Sequence, residues 1–304
     1  MNNKNYGIPE SGLLAGVHPV MAIGSTILVL VFVIFTIANP EYASSIYNSA
    51  QNFIASKLSW YYIGVMSFML FFSVWLIFSR YGNIRVGKDT DRPEFGYFSW
   101  FSMLFGAGIG IGILFWSIAE PIYHFQSNPL IAESQQQTAE AAQVAMRIAI
   151  FHWGLHGWAL FSVIGMALAY FSYRKGLPLS IRSCLYPLFG ERIYGPIGHA
   201  ADLLAVFGTV FGIATSLGLG AQQMNAGLAY LFGIEISTAT QVGLIALLSV
   251  CATVSVLSGL KKGIRMLSEL NMQLTAVMLL LFIIFGPTTF ILGSVFTNIG
   301  DYLS

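Results

Sequence analysis

The chain has 304 residues, of which 56% are hydrophobic and only 9% charged, whereas a soluble domain carries roughly 25% charged residues. No water-soluble packing hides that much apolar surface, so the composition excludes a soluble globular class and indicates a polytopic membrane protein. The net charge of +1 gives no ground for a nucleic-acid partner, and no nucleophile–base pair or phosphate-binding loop supports an enzyme or an ATP-driven pump.

The first long apolar run begins near Val20 without a basic leader or a small-residue cleavage site, so it reads as a retained span. A spanning helix needs about 20 mostly apolar residues. Seven segments qualify: 18–38, 60–80, 97–118, 144–172, 199–231, 238–258 and 269–293. The fifth is long enough to tilt or break, and Gly212, Gly218 and Gly220 lie within it. The expected fold is therefore all-α, with seven transmembrane helices.

Basic residues then orient the chain. Arg80, Arg85, Lys88 and Arg92 follow the second span; Arg174, Lys175, Arg182 and Arg192 follow the fourth; Lys261, Lys262 and Arg265 follow the sixth. With Lys4 these are expected on one side, leaving Lys57 and Arg147 for the other, where Glu41, Glu120, Glu133, Glu140, Glu235 and Asp301 also fall. The expectation is a multi-pass protein of the cytoplasmic (inner) membrane, its amino terminus cytoplasmic and the carboxyl terminus of this chain outside. Residues 128–143 read as an outer amphipathic helix, and 176–199 as a broken inner loop with one short helix. The stretch Ser258 to Asn271 reads as a basic segment along the inner surface, attracted to anionic lipid. Cys184 and Cys251 offer neither a disulfide framework nor metal spacing.

Two segments carry chemistry. Gly106, Gly108, Gly110 and Gly112 alternate through the third span, ahead of Phe115, Trp116, Glu120 and Pro121. Each glycine lowers helix propensity by about 1 kcal/mol relative to alanine. Glycines in a membrane helix serve close packing or a local unwinding that lines a cavity; four within seven residues favour the second use. In the fourth span, Trp153, Trp158 and Phe161 fall within an arc of about 140° on a continuous helix, beside Gly154 and Gly157. Such rings pack against lipid or protein in many helices, yet here they lie near glycines and away from the span's ends. They can instead form part of a cage for a cation that donates no hydrogen bonds, a quaternary ammonium. His152 and His156 lack a third metal ligand in their span. One or both are expected to bond to a neighbouring helix, with proton coupling as the alternative.

Together these segments, with Phe207 to Gly220 in the fifth span and Gly263 to Met272 after the sixth, resemble the betaine/choline/carnitine transporter family. The resemblance implies twelve spans, the third to seventh and eighth to twelfth forming two inverted repeats of five helices around a midplane site. By that comparison the chain comprises spans one to seven: 1–96 with two helices and a basic loop, and 97–304 as the first repeat, the second repeat being absent. It also implies that Trp153, Trp158 and Phe161 surround a trimethylammonium group, Phe161 standing where relatives often carry tyrosine. Gly108, Ile109, Gly110 and Gly112, with Ile111, match a stretch that contacts substrate. Thr209 matches one ligand of a sodium site, whose partner four residues on is Ile213 here. Losing that oxygen disfavours sodium, with Thr215 and Ser216 as alternative oxygens, and favours proton coupling. The expected function is secondary transport of choline or glycine betaine, an osmoprotectant or its precursor, coupled to H+ or Na+, without cofactor or bound metal, in trimers if the family pattern holds. The alternative is a truncated, transport-incompetent membrane fragment of such a transporter.

Overall fold

The computed structural model describes residues 9, 11–12, 15–108, 110, 112 and 114–303; Lys4, Ile109 and Ile111 lie outside the described residues. No strand occurs among the described residues. The helices are α1 Pro19–Ala38, α2 Pro40–Lys57, α3 Ser59–Phe78, α4 Tyr97–Gly108, α5 Trp116–Gln126, α6 Ala139–Trp153, α7 Leu155–Ala169, the single-turn α8 Tyr186–Phe189, α9 Pro196–Phe232, α10 Thr238–Leu257, α11 Arg265–Phe285 and α12 Thr288–Leu303.

Among the described residues, six helical stretches are long and apolar enough to cross a membrane: Pro19–Ala38, Ser59–Phe78, Ala139–Arg174, Pro196–Phe232, Thr238–Leu257 and Leu260–Phe285. The remaining expected span, 97–118, is also interrupted, α4 of 12 residues giving way to α5 of 11. The chain is an all-α polytopic membrane protein.

Local chemistry sets several boundaries. Proline occupies the first turn of α1 and of α2, where its missing N–H is no loss. Helix α2 also has Glu41 in its first turn and Lys57 in its last, each complementing the helix dipole. The Thr138 hydroxyl accepts the Ala141 N–H at 3.2 Å and starts α6, as the Ser237 hydroxyl accepts the Thr240 N–H to start α10.

One expected element needs correction here. The outer helix expected over 128–143 begins only at Ala139; before it the chain is irregular apart from a short 3-10 turn, Glu133–Gln135. Asn128 explains why: its side chain donates to the His124 carbonyl and accepts from the Leu130 N–H, a turn that competes with helix. The basic segment Ser258 to Asn271 contains a wide π-type turn at Leu260–Ile264 that leads directly into α11. Helix α2 is an addition to the expected elements, since its polar sequence lacks a membrane-length apolar run. The inner loop does carry one short helix, α8, between 3-10 turns.

The chain forms two compact units. In the first, 1–91 and 156–212, Phe32 of α1 meets Phe207 and Phe211 of α9 edge-on, and Thr36 shares a 2.6 Å hydrogen bond with Tyr47 of α2. At its polar end the buried Arg182 guanidinium donates to Asp202 at 2.6 Å, and the His18 and His199 rings stand 5.0 Å apart. Burial, and then the Arg182 charge, lower the His18 pKa below its usual 6.5. Arg174 donates to Asp89 and to the Gly87 carbonyl.

In the second unit, 92–155 and 213–304, α5 packs on α6 and α4 on α11. The α6 face is a stripe of buried small side chains, Ala141, Val144, Ala145 and Ala149. Small side chains let membrane helices approach closely, where lipid removes the usual hydrophobic incentive. Ser99 donates to Glu269, and Lys261 pairs with Glu94. Buried Asn225 donates to the Glu235 carbonyl and accepts the Ser237 N–H, tying the end of α9 to the start of α10.

Candidate functional site

The glycine run interrupts a helix. Gly108 is the last residue of α4, and Gly110 and Gly112 lie in a widened π-type turn before α5 begins at Trp116. The backbone at those two described positions is therefore expanded rather than extended, a milder opening than the sequence suggests. Widened turns of this kind recur at functional positions in helices. Gly110 has open space on its side-chain face, whereas a β-carbon on Gly112 would meet Cζ3 of Trp153 at 2.8 Å. Gly112 is the point at which the opened turn receives an indole ring.

Trp153 is the last residue of α6. The helix ends there because Gly154 takes φ −88° and ψ −141°, a bend at which a β-carbon would collide with the Ile150 carbonyl. The expected continuous helix through 151–161 is interrupted at Gly154. Trp158 and Phe161 belong to α7, in the other compact unit, with ring centroids 5.5 Å apart; Trp158 is half-buried and Phe161 65% exposed.

Trp153 is held by more than Gly112. Its indole Nε1–H donates to Oε2 of Glu120 at 2.5 Å. Glu120, on α5, is only 6% exposed. The same carboxylate bonds to Nδ1 of His152, 2.9 Å from Oε1 and 3.0 Å from Oε2, and Nε2 of His124 stands 3.7 Å from Oε1. A buried carboxylate in an apolar segment is costly unless hydrogen-bonded; here the Trp153 indole N–H donates to it and a ring nitrogen of His152 lies within bonding distance. His152 thus bonds to a neighbouring helix. Sequence reasoning keeps Glu120 in the glycine motif without placing it in the site, although an acidic residue inside an apolar stretch is a signal for it.

An open cavity of about 380 Å³ lies in the same unit, between Leu114, Phe115, Ile118 and Ala119 on one wall and Leu219, Gln222, Gln223 and Ala226 of α9 on the other. The oxygen-bearing residues proposed for ion coupling are exposed on α9. Thr209 donates its hydroxyl to the Ala205 carbonyl at 2.8 Å, and Ile213 presents an apolar side chain, 56% exposed. Thr215 and Ser216 follow on the same helix, in the other compact unit from Thr209. Among the described residues no group of three or more His, Cys, Asp or Glu side chains is placed to hold a metal ion.

Comparison with known proteins agrees with the motif reading. A family profile described as "BCCT, betaine/carnitine/choline family transporter" matches residues 19–304. A probable glycine betaine transporter of Desulfitobacterium hafniense is 43% identical over 279 residues, 92% of this chain and 56% of its own length. The high-affinity choline transport protein of Escherichia coli K12 is 46% identical over 289 residues, 95% of this chain and 42% of its own. The glycine betaine transporter of Bacillus subtilis is 44% identical over 272 residues, 89% of this chain and 52% of its own. The chain thus spans about half the length of these relatives. With a profile match over nearly its whole length, it belongs to the betaine/carnitine/choline transporter family.

Proposed function

We propose that this chain acts in secondary active transport of a quaternary ammonium solute, choline or glycine betaine, across the cytoplasmic membrane, coupled to an ion. One observation carries the reading: an indole ring seated against the bare face of Gly112 in a widened helical turn, its N–H engaged by a buried carboxylate. A ring fixed in this way presents a π-face without rotational freedom. Such a face attracts a cation that cannot itself donate hydrogen bonds, by about 1–2 kcal/mol once water is excluded. The names of the relatives favour the same class of solute. Trp158 and Phe161 keep the substrate-contacting role that the family resemblance gives them, as do Gly108, Ile109 and Gly110. Proton coupling is preferred to sodium because Ile213 removes an oxygen from the position four residues after Thr209, and a hard cation needs several oxygen ligands.

The test is a binding panel on the chain in lipid nanodiscs: choline, glycine betaine, carnitine, and the uncharged choline isostere 3,3-dimethylbutanol, with sodium present or replaced by potassium. Saturable binding of the trimethylammonium compounds, little binding of the isostere, and indifference to sodium are expected. Trp153→Ala is expected to weaken choline binding by about tenfold. Unchanged affinity in that variant, with reduced thermal stability, would show that the ring only packs.

A further inference from the structure

The hydrogen bonds around Glu120 do more than satisfy a buried charge. The carboxylate takes the indole N–H of Trp153 on one side and a ring nitrogen of His152 on the other, with His124 one turn further along its own helix. The His152 and Trp153 rings are 4.7 Å apart. We infer that Glu120 is the positioning residue for Trp153, and that the charge of its cluster with His152 and His124 sets how strongly the Trp153 ring holds a cation. This rests on the proposed role of Trp153 in binding.

The physical argument runs through charge. With both histidines neutral and Glu120 ionised, the cluster carries one negative charge beside the indole. A carboxylate accepting the N–H leaves the ring electron-rich and adds its own attraction for a cation. Histidine is the side chain that gains charge between neutral and mildly acidic pH. One proton on the cluster cancels the negative charge and a second makes it positive, so acidification weakens cation binding at the ring. The other titratable groups on the packed elements are few. Helix α5 adds only Tyr123 next to the cluster, α6 carries Arg147 and Glu140 further along, and α12, packed on α6, carries Asp301 and Tyr302. The α9 wall of the adjacent cavity offers Gln222 and Gln223 but no titratable side chain among the described residues.

Tetramethylammonium is the probe, because its charge does not change with pH. Its Kd is measured on the chain in nanodiscs between pH 8 and pH 5.5, for the parent and for E120Q, H152Q and the double variant H124Q/H152Q. The parent Kd is expected to rise by about tenfold on acidification. In H124Q/H152Q the ratio of the two Kd values is expected to fall toward one, because glutamine keeps polar contact without gaining a proton. E120Q is expected to bind weakly already at pH 8 and to show a flat profile. A parent that binds the probe with no pH dependence, or a double variant that keeps the full dependence, would overturn the inference while leaving the proposed transport function standing. A parent that binds no probe at any pH would overturn both. Should E120Q not fold, the histidine variants still decide the matter.

Discussion

Gly112 and Trp153 have to be considered as a pair, because the space of one is filled by the ring of the other. Gly112→Ala inserts a methyl group 2.8 Å from Cζ3 of Trp153, so the ring must move. Its choline affinity is expected to fall by about tenfold, and much less than that in a W153L background, since contacting residues are not additive. A four-member affinity cycle measures the difference, and additive effects would separate the two positions. The buried pair Arg182–Asp202 gives a second residue-scale prediction. Both side chains are almost completely enclosed, and Asp202 also accepts the Arg182 backbone N–H at 2.9 Å. Asp202→Ala strands a buried guanidinium and is expected to cost about 3–5 kcal/mol, read as a large drop in thermal unfolding temperature in detergent. Gly112 is legible in the sequence as part of an improbable glycine run. The Arg182–Asp202 pair is not, because nothing local marks two residues twenty positions apart as partners.

At the scale of the elements, the sequence discloses the long apolar helices and the interruption in the third span, where propensity and composition agree. It does not disclose the bend at Gly154, since one glycine among apolar residues is equally at home within a helix. Nor does it disclose α2, whose polar face hides it from a search for spans. The seam between the start of α1 and α9 adds a pH dependence. His18 faces His199, Arg182 and Asp202, and its pKa is lowered by burial and by the Arg182 charge. A histidine kept neutral in the folded state contributes stability that is present above its unfolded value, near 6.5, and is lost as pH falls below it. The protection factor of the Ala22 amide, which bonds to the His18 carbonyl at 3.0 Å, is expected to fall between pH 7 and pH 5 once the intrinsic pH dependence of exchange is divided out. In His18→Gln that fall in protection is expected to disappear. A ratio of protection factors identical to the parent's would assign the effect elsewhere.

For the molecule as a whole, the distribution of Lys and Arg predicts which loops face the cytoplasm. Cys184 lies in one such loop, and burial, then the nearby Asp202 charge, push its thiol pKa up. A membrane-impermeant maleimide is expected to leave Cys184 unlabelled in intact cells and to label it slowly in inverted vesicles, because thiolate is the reactive form. Fast labelling from outside would reverse the orientation. Family membership, too, is legible at this scale, since four motifs in order extend along the chain. The two-unit organisation is not, because the units interleave segments distant in sequence.

The alanine stripe on α6 carries a thermal consequence. A seam closed by methyl groups between helices already bathed in hydrocarbon is held by shape and dispersion rather than by the expulsion of water. Water expulsion loses strength on cooling, so a soluble core loosens in the cold for a reason that does not apply here. The packed face of α6 is built to stay shut at temperatures where the interior of an aqueous protein begins to slacken.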